Sequence, residues 1–510
     1  MRVTAAALCI LVALVTTSRP VEAQSVGKIL ERYASALGGK KIVEQIVSTE
    51  MSGRVTATDG RTGVFTQRAT RPQRFSVSLS LGDVRWRSGF NGRASWRDDS
   101  VEGVRTLYGP EASRVRADAL YAATHFVVPE KLSLMSLSGR EQVRGREVLV
   151  LNALTVDGTP RTLFFDANSY LLVKDAQTTD AGVEERFFDD YRVVDHVLEP
   201  HRIEWHRNGE TLRIEVERVT HNAPLDGAAF DVPITPTDPP LNIDAVLSAA
   251  RDSDLRSEDL RASYGYTQAW SFGKIDQEGR VTHADGPAFQ IYHLGGRPFG
   301  RLIRKMGGEV LSEAERKRED ERVQNVVREY ERQRASGHAA PGRTDDSGWL
   351  DSVTVKLPAA GVGWYPGAAS FPAYLRMSDF SNVRRERLGG RTVVVLEFQP
   401  KRDVAPASDQ QSQIRVLAGA LWVDEASQHV MLVESYFLDD FDRTVKGSSL
   451  RTELTLVNGE VWLLSRQETH SAWTFVFGKV SRFFNTVEYA DHKKFTVETD
   501  TTVTLPDAKR

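Results

Sequence analysis

Between Arg71 and Trp96 the chain reads RPQRFSVSLSLGDVRWRSGFNGRASW, with hydrophobic side chains at alternate positions. Phe75, Val77, Leu79 and Leu81 are separated by serines, so they share one face of a β-strand while Ser76, Ser78 and Ser80 take the other. At Gly82-Asp83 the phase changes, and Val84 and Trp86 carry the apolar face onward in even positions, as across a tight turn or bulge. Asn91-Gly92 signals a second turn. Three short strands in succession, apolar on one face, predict a meander that covers something apolar.

The same reading extends in both directions. Ile29, Leu30, Tyr33 and Leu37 recur at helical spacing before Gly38-Gly39, which predicts a helix over 26–37 with a glycine stop. From Ser48 the helical period gives way to alternation punctuated by Gly53 and Asp59-Gly60, as in an antiparallel sheet. Val115, Ala119 and Ala122 or Ala123 mark a second helix near 111–125, ended before Pro129. Strands resume at 145–151, 163–166 and 171–173. In the hairpin around Asn208-Gly209, Ile203 and Trp205 alternate with charged residues going in and Leu212, Ile214 and Val216 coming back.

Pro233, Pro236, Pro239 and Pro240 then crowd one stretch, which reads as a semi-rigid linker that few contacts should cross. Beyond it come a helix near 243–250, strands at 264–272 and 289–293, and a charged helix opened by the capping box Ser312-x-x-Glu315. That helix has an apolar stripe of only Val323, Val326, Val327 and Tyr330, and a Gly, Pro and Asp-rich loop (336–348) follows it. The halves echo each other: Gly145–Leu151 with Gly390–Leu396, Thr162–Asp166 with Ala420–Asp424, and Asn208-Gly209 with Asn458-Gly459 as hairpins at matching places. In the second half Arg297-Pro298-Phe299 lacks the alternating strand that follows Arg71-Pro72.

An Arg-Pro pair leading into a Phe-bearing strand, then Asn-Gly-Arg and Trp, resembles the outer-membrane lipoprotein carrier LolA and its relatives. The residues that carry the resemblance are Arg71, Pro72, Phe75, Asn91, Gly92, Arg93 and Trp96. It implies an α+β, mainly antiparallel β fold of two tandem curved half-barrel sheets, each with covering helices. The expected organisation is a leader at 1–23, a first half-barrel at 24–235, a linker at 236–241, and a second module at 242–510 with a helix and loop insertion at 312–348. The family implies an apolar cavity for lipid acyl chains or lipoprotein anchors, and a membrane-associated donor or acceptor protein as partner. Arg71, Pro72, Phe75, Val77, Leu79, Leu81, Trp86 and Trp96 are its expected ligand-binding residues. In LolA the arginine of the Arg-Pro pair ties the sheet to the covering helices. The alternative is a sensor similar to RseB, acting through protein contacts.

Composition narrows the setting. Residues 1–23 combine Arg2, an apolar run from Ala5 to Val15 and Val21-Glu22-Ala23, the pattern of a secretory signal peptide. The single cysteine, Cys9, lies inside that run after Leu8, so neither a disulfide nor a lipid anchor is expected, and the predicted location is the periplasm. A formal charge of −3 over 510 residues speaks against a nucleic-acid partner.

Catalytic patterns are not found. Neighbours in Asp189-Asp190 and Asp439-Asp440 point to opposite faces of predicted strands. His201 and His206 stand ~17 Å apart along a strand and also face opposite ways, so no shared metal is expected there. With no nucleophile elbow, zincin helix, phosphate loop or CxxC pair, the expectation is no enzyme, no cofactor and no metal.

Overall fold

The structure, a computed structural model, describes residues 25–234, 241–275, 281–294, 297–336, 371–474 and 480–495. The expected leader (1–23), most of the linker (236–240) and the loop at 337–348 lie outside the described residues. Two helices, α1 (Val26–Leu37) and α2 (Lys40–Gln45), open the first half. Six strands follow: β1 (Ser48–Ala57), β2 (Thr62–Thr70), β3 (Arg74–Leu81), β4 (Val84–Phe90), β5 (Ser95–Asp99) and β6 (Gly103–Thr106). Helix α3 (Gly109–Ala123) leads to β7 (Ser133–Val143), β8 (Arg146–Thr155), β9 (Pro160–Asp166), β10 (Leu172–Thr179), β11 (Gly182–Val194), β12 (Val197–Arg207) and β13 (Glu210–His221). Pairing of β13 with β1 joins both runs into one 13-stranded antiparallel sheet.

The second half runs α4 (Ile243–Arg256), α5 (Glu258–Ala262), β14 (Tyr264–Ile275), β15 (Val281–Leu294), β16 (Arg297–Arg304), α6 (Glu313–Ala335), α7 (Phe371–Met377), β17 (Ser378–Leu388) and β18 (Arg391–Pro400). It ends with α8 (Asp409–Ile414), β19 (Leu417–Asp424), β20 (Val430–Phe437), β21 (Ser449–Val457), β22 (Val461–Thr474) and β23 (Val480–Lys494). Here β23 pairs with β14, giving a 10-stranded antiparallel sheet. Neither sheet closes on itself, and the fold is α+β, dominated by two large antiparallel sheets.

Local chemistry explains the elements that were expected. Helix α1 buries Ile29, Tyr33 and Leu37, is capped by the Ser25 side chain and stops at Gly38, whose φ of 132° suits glycine. Its packing includes an edge-to-face contact of Tyr33 with Phe165, ring centroids 5.0 Å apart. In α6, Ser312 N donates to Glu315 at 2.8 Å and Glu315 N to Ser312 Oγ at 3.3 Å, a reciprocal capping box. Strands β3 and β4 meet through a two-residue turn at Gly82-Asp83, so Leu79 faces Trp86 and Leu81 faces Val84 across the pair.

Strand order shows the repeat and corrects one part of it. In each half an opening meander is joined, through its first strand, to the last strand of a seven-stranded meander, with β8 and β9 equivalent to β18 and β19. Asn208-Gly209 joins the sixth and seventh strands of its meander, whereas Asn458-Gly459 joins the fifth and sixth, so these hairpins are not at matching places. The turn equivalent to Asn458-Gly459 is Asp195-His196, again with both residues at positive φ (46° and 70°). Type I′ hairpins require that backbone wherever they occur, so the Asn-Gly word reports turn geometry and not position in a repeat. A second correction concerns Arg297-Pro298-Phe299, which opens the strand β16. It lies at the sheet edge, pairing with β15 alone, where proline is tolerated and alternation is not enforced. Helix α6 leans on it, Glu319 accepting from Leu302 N at 2.7 Å, and occupies the place between the two meanders that α3 takes in the first half.

The expectation of few contacts across the linker is not met. The turn at Asn91–Arg93, the end of β6 and the start of α3 pack on one face of the second sheet through buried polar groups. Glu397, 0% exposed, accepts from Asn91 Nδ2 (2.8 Å) and Arg93 Nε (3.0 Å) of the first half and from Asn382 Nδ2 (2.9 Å) and Arg384 Nη1 (3.0 Å) of the second. Glu386 accepts from Thr106 N at 2.8 Å, and the Tyr436 hydroxyl donates to the Gly92 carbonyl. Apolar contact adds Ala94 against Val393, Val395 and Trp422. A linker between two modules constrains where their faces can meet, not whether they are complementary.

Candidate ligand cavity

Because strand side chains alternate, one face of the first sheet gathers apolar residues beneath α1 and α3. A cavity of about 230 Å³ lies there. Met51, Phe65, Ala69, Phe75, Val77 and Trp86 supply one wall from β1 to β4. Leu172, Phe188, Leu198, Ile203, Trp205 and Ile214 supply the other from β10 to β13, with Val115 and Ala122 of α3 and Phe126 above. The volume is small beside the ~300–1,000 Å³ usual for ligand sites, so it suits a small guest or part of a larger one.

Charged groups ring this apolar interior. Trp86 and Trp205 meet edge to face at 5.4 Å, and the Arg207 guanidinium stacks 3.9 Å from the first ring and 4.8 Å from the second. Burial lowers the pKa of Arg207, with nearby Arg97 adding to the effect and Glu184 opposing it. Arg97, Glu111, Arg114 and Asp180 also line the cavity. Helix α3 is held over it by ions. Asp118 accepts from Arg161 at 2.6 Å and from Arg186 at 3.0 Å, and both arginines also bind Asp175 on β10. Burial pushes the Asp118 carboxyl up, but the two guanidiniums outweigh it and hold it below the usual carboxylate range.

A compact polar cluster interrupts the apolar wall. His125 Nε2 and His221 Nε2 lie 3.0 and 2.9 Å from the same oxygen of Glu199. Burial raises the Glu199 pKa, yet the two imidazoles more than offset that and hold it down to about 2. Burial, reinforced by Glu199, pushes the Tyr33 phenol far up, and Tyr191 is likewise raised by burial and by Tyr33.

Of the eight ligand-binding residues expected from sequence, Phe75, Val77 and Trp86 line the cavity. Leu79 and Leu81 are buried in the surrounding core. Trp96 is buried with its ring against Gly89 and its Nε1 on the Phe230 carbonyl at 2.8 Å. Arg71 lies outside the cavity wall, Nε on the Ile46 carbonyl at 2.8 Å and Nη2 on Val43 at 3.4 Å, which ties the end of α2 to the sheet. Pro72 is exposed beside it. Asn91, Gly92 and Arg93 serve the contact between the halves. His201 and His206 do not converge: the first is bonded to the Glu199 carbonyl and the second to the Glu204 carboxylate. Sequence reasoning passed over His125, Glu199 and His221.

No family model and no curated protein matches the chain. Among solved structures it is similar in fold to the LolA superfamily protein NE2245 from Nitrosomonas europaea, at 14% identity over 41% of this chain and 98% of that one, TM-score 0.29. It is also similar to a putative outer membrane lipoprotein-sorting protein domain from Vibrio parahaemolyticus, at 12% identity over 40% and 95%, TM-score 0.29. A third likeness, to the Pseudomonas aeruginosa MucA/MucB complex, has 8% identity over 92% and 98%, TM-score 0.14. These are likenesses of backbone shape; what the chain does has to be sought in its own cavity.

Proposed function

We propose that the chain is a non-catalytic periplasmic carrier that shelters a lipid acyl chain or lipoprotein anchor in the first half-barrel. The observation that carries this reading is the small, mainly apolar cavity between α3 and the sheet, with Arg207 over two tryptophans at its charged margin. Each methylene moved from water into such a wall contributes about 0.8 kcal/mol, so retention grows with chain length and no single polar contact is needed. The guanidinium of Arg207 suits an anionic head group at the margin. The signal-like leader and the absence, among the described residues, of a helix long and apolar enough to cross a membrane are consistent with this setting.

The sensor reading draws on a different feature. Glu434 of the second half accepts from Gly109 N at 3.2 Å and from Arg116 at 3.4 Å, so the helix over the cavity is gripped from the other half and its displacement would be transmitted there. Both readings require an occupied cavity. Ala122→Phe places a ring inside it, and should weaken a fluorescent fatty-acid probe at least tenfold while leaving the melt cooperative. Equal probe binding by the variant and the wild type would refute the cavity as the site. Native mass spectrometry of the chain purified from a periplasmic extract would then identify the cargo.

A further inference from the structure

The cluster beside the cavity wall is built like a metal site. His125 sits just after α3 at φ 49°, Glu199 on β12 and His221 at the end of β13, so three separate elements converge. All three residues are buried, and their ligand atoms lie within 4.8 Å of one another. A tetrahedral ion at ~2.0–2.1 Å from each ligand holds neighbouring ligand atoms ~3.3 Å apart. The observed 3.0 and 2.9 Å need open only slightly to receive one.

We propose that His125, Glu199 and His221 bind a divalent cation of the zinc class. Two imidazoles and one carboxylate match the donor preferences of zinc and its transition-metal neighbours, whereas calcium and magnesium favour all-oxygen shells. The surroundings of His221 supply an independent argument. Its Nδ1 faces Asp195 Oδ2 at 3.5 Å while its Nε2 faces Glu199. A cation between Nε2 and Glu199 would leave Nδ1–H for Asp195, the arrangement by which outer carboxylates orient metal-bound histidines. His125 and Glu199 also line the cavity, which places the cluster at its wall. The site stands whether or not the cavity carries lipid.

Calorimetry on the chelator-stripped full chain tests it, with zinc, magnesium and calcium chlorides titrated separately. One equivalent of zinc should bind, with no stoichiometric magnesium or calcium, and cobalt should give the visible bands of a low-symmetry four-coordinate ion. Asp195 is 68% exposed in a turn whose φ of 46° asparagine tolerates, so Asp195→Asn should fold normally and weaken zinc by about tenfold. Failure of the wild type to take up stoichiometric zinc, or undiminished zinc affinity in His125→Asn and His221→Asn, overturns the proposal and leaves a proton-bridged His-Glu-His cluster. Should those variants not fold, X-ray absorption of the zinc-loaded wild type decides. Two imidazole nitrogens with a carboxylate oxygen support the site, and any other shell refutes it.

Discussion

At the scale of single residues, alternation reveals which side chains turn inward but not whether a guest or the core lies beneath them. Phe75, Val77 and Trp86 were legible as wall residues from their period of two. Leu79 shares that period and is flanked across the sheet by Phe65 and Trp86, which line the cavity, yet its own side chain packs in the core. Leu79→Ala should therefore cost about 2–5 kcal/mol in a urea unfolding titration and leave the probe affinity of the folded protein unchanged. A weakened probe affinity would place Leu79 in the wall after all. The buried cluster was beyond sequence reasoning for a related cause. His125 and Glu199 are 74 residues apart, and His221 lies 22 beyond Glu199, so no spacing within a helix or strand brings them together. Only the pairing of β13 with β12 and the return of α3 over the sheet does so. Nothing in the Asn-Gly-Arg words announced that they would bind a second sheet, since their partner Glu397 is 304 residues from Arg93.

At the scale of elements, the helices and hairpins with strong local signals formed where the sequence placed them, and what escaped was how they are held. Helix α3 is weakly amphipathic, with Arg116 buried alongside its alanines, so its position rests on ion pairs as well as on apolar packing. Asp118 is the pivot, bridging Arg161 and Arg186 beneath the helix. On the proposed carrier reading a guest enters beneath α3, and those two bonds stretch as the helix lifts. Asp118→Asn keeps the size but loses charge-assisted bonds worth about 1.5–3 kcal/mol. The expected outcome is a lower unfolding midpoint together with faster uptake and faster release of the fluorescent fatty-acid probe in stopped flow. Slower exchange, or none at all, would show that the guest enters without displacing α3. Arg71, which the family resemblance would make a tie between sheet and helices, does bond the end of α2, while the ion cluster under α3 is a second tie that no motif announced.

At the scale of the molecule, the contact between the halves is polar and buried, a combination whose two glutamates behave differently. Glu397 accepts four side-chain donors from both halves, so Glu397→Gln turns an amide N–H toward guanidinium donors and should destabilise the whole chain by about 3–5 kcal/mol. A loss below 1 kcal/mol in urea would show the interface to be dispensable. Glu434 is the contrary case. Burial pushes its pKa up, and the attraction of Arg116, the Gly109 N–H and Arg451 does not fully offset it. The folded chain thus holds that proton more tightly than the unfolded chain, so the contribution is fully present below the ordinary glutamate pKa and is lost as pH rises through the folded value. Glu199 and Glu468, both held down to about 2, act in the opposite sense: their contributions are present above the ordinary glutamate pKa and lost as the solution is acidified toward that value. A plain pH profile mixes these slopes, and a difference between variants separates them. Glu434→Gln keeps an acceptor for Gly109 N and for Arg116 and cannot ionise. Its stability relative to wild type should therefore increase as pH is raised from about 4.5 toward neutrality, and level off once Glu434 of the wild type has ionised. Thermal melts of both proteins at intervals across that range are the measurement. A difference that stays flat, or that runs the other way, would mean that Arg116 compensates the buried charge in full and that the grip of the second half on α3 does not change with protonation.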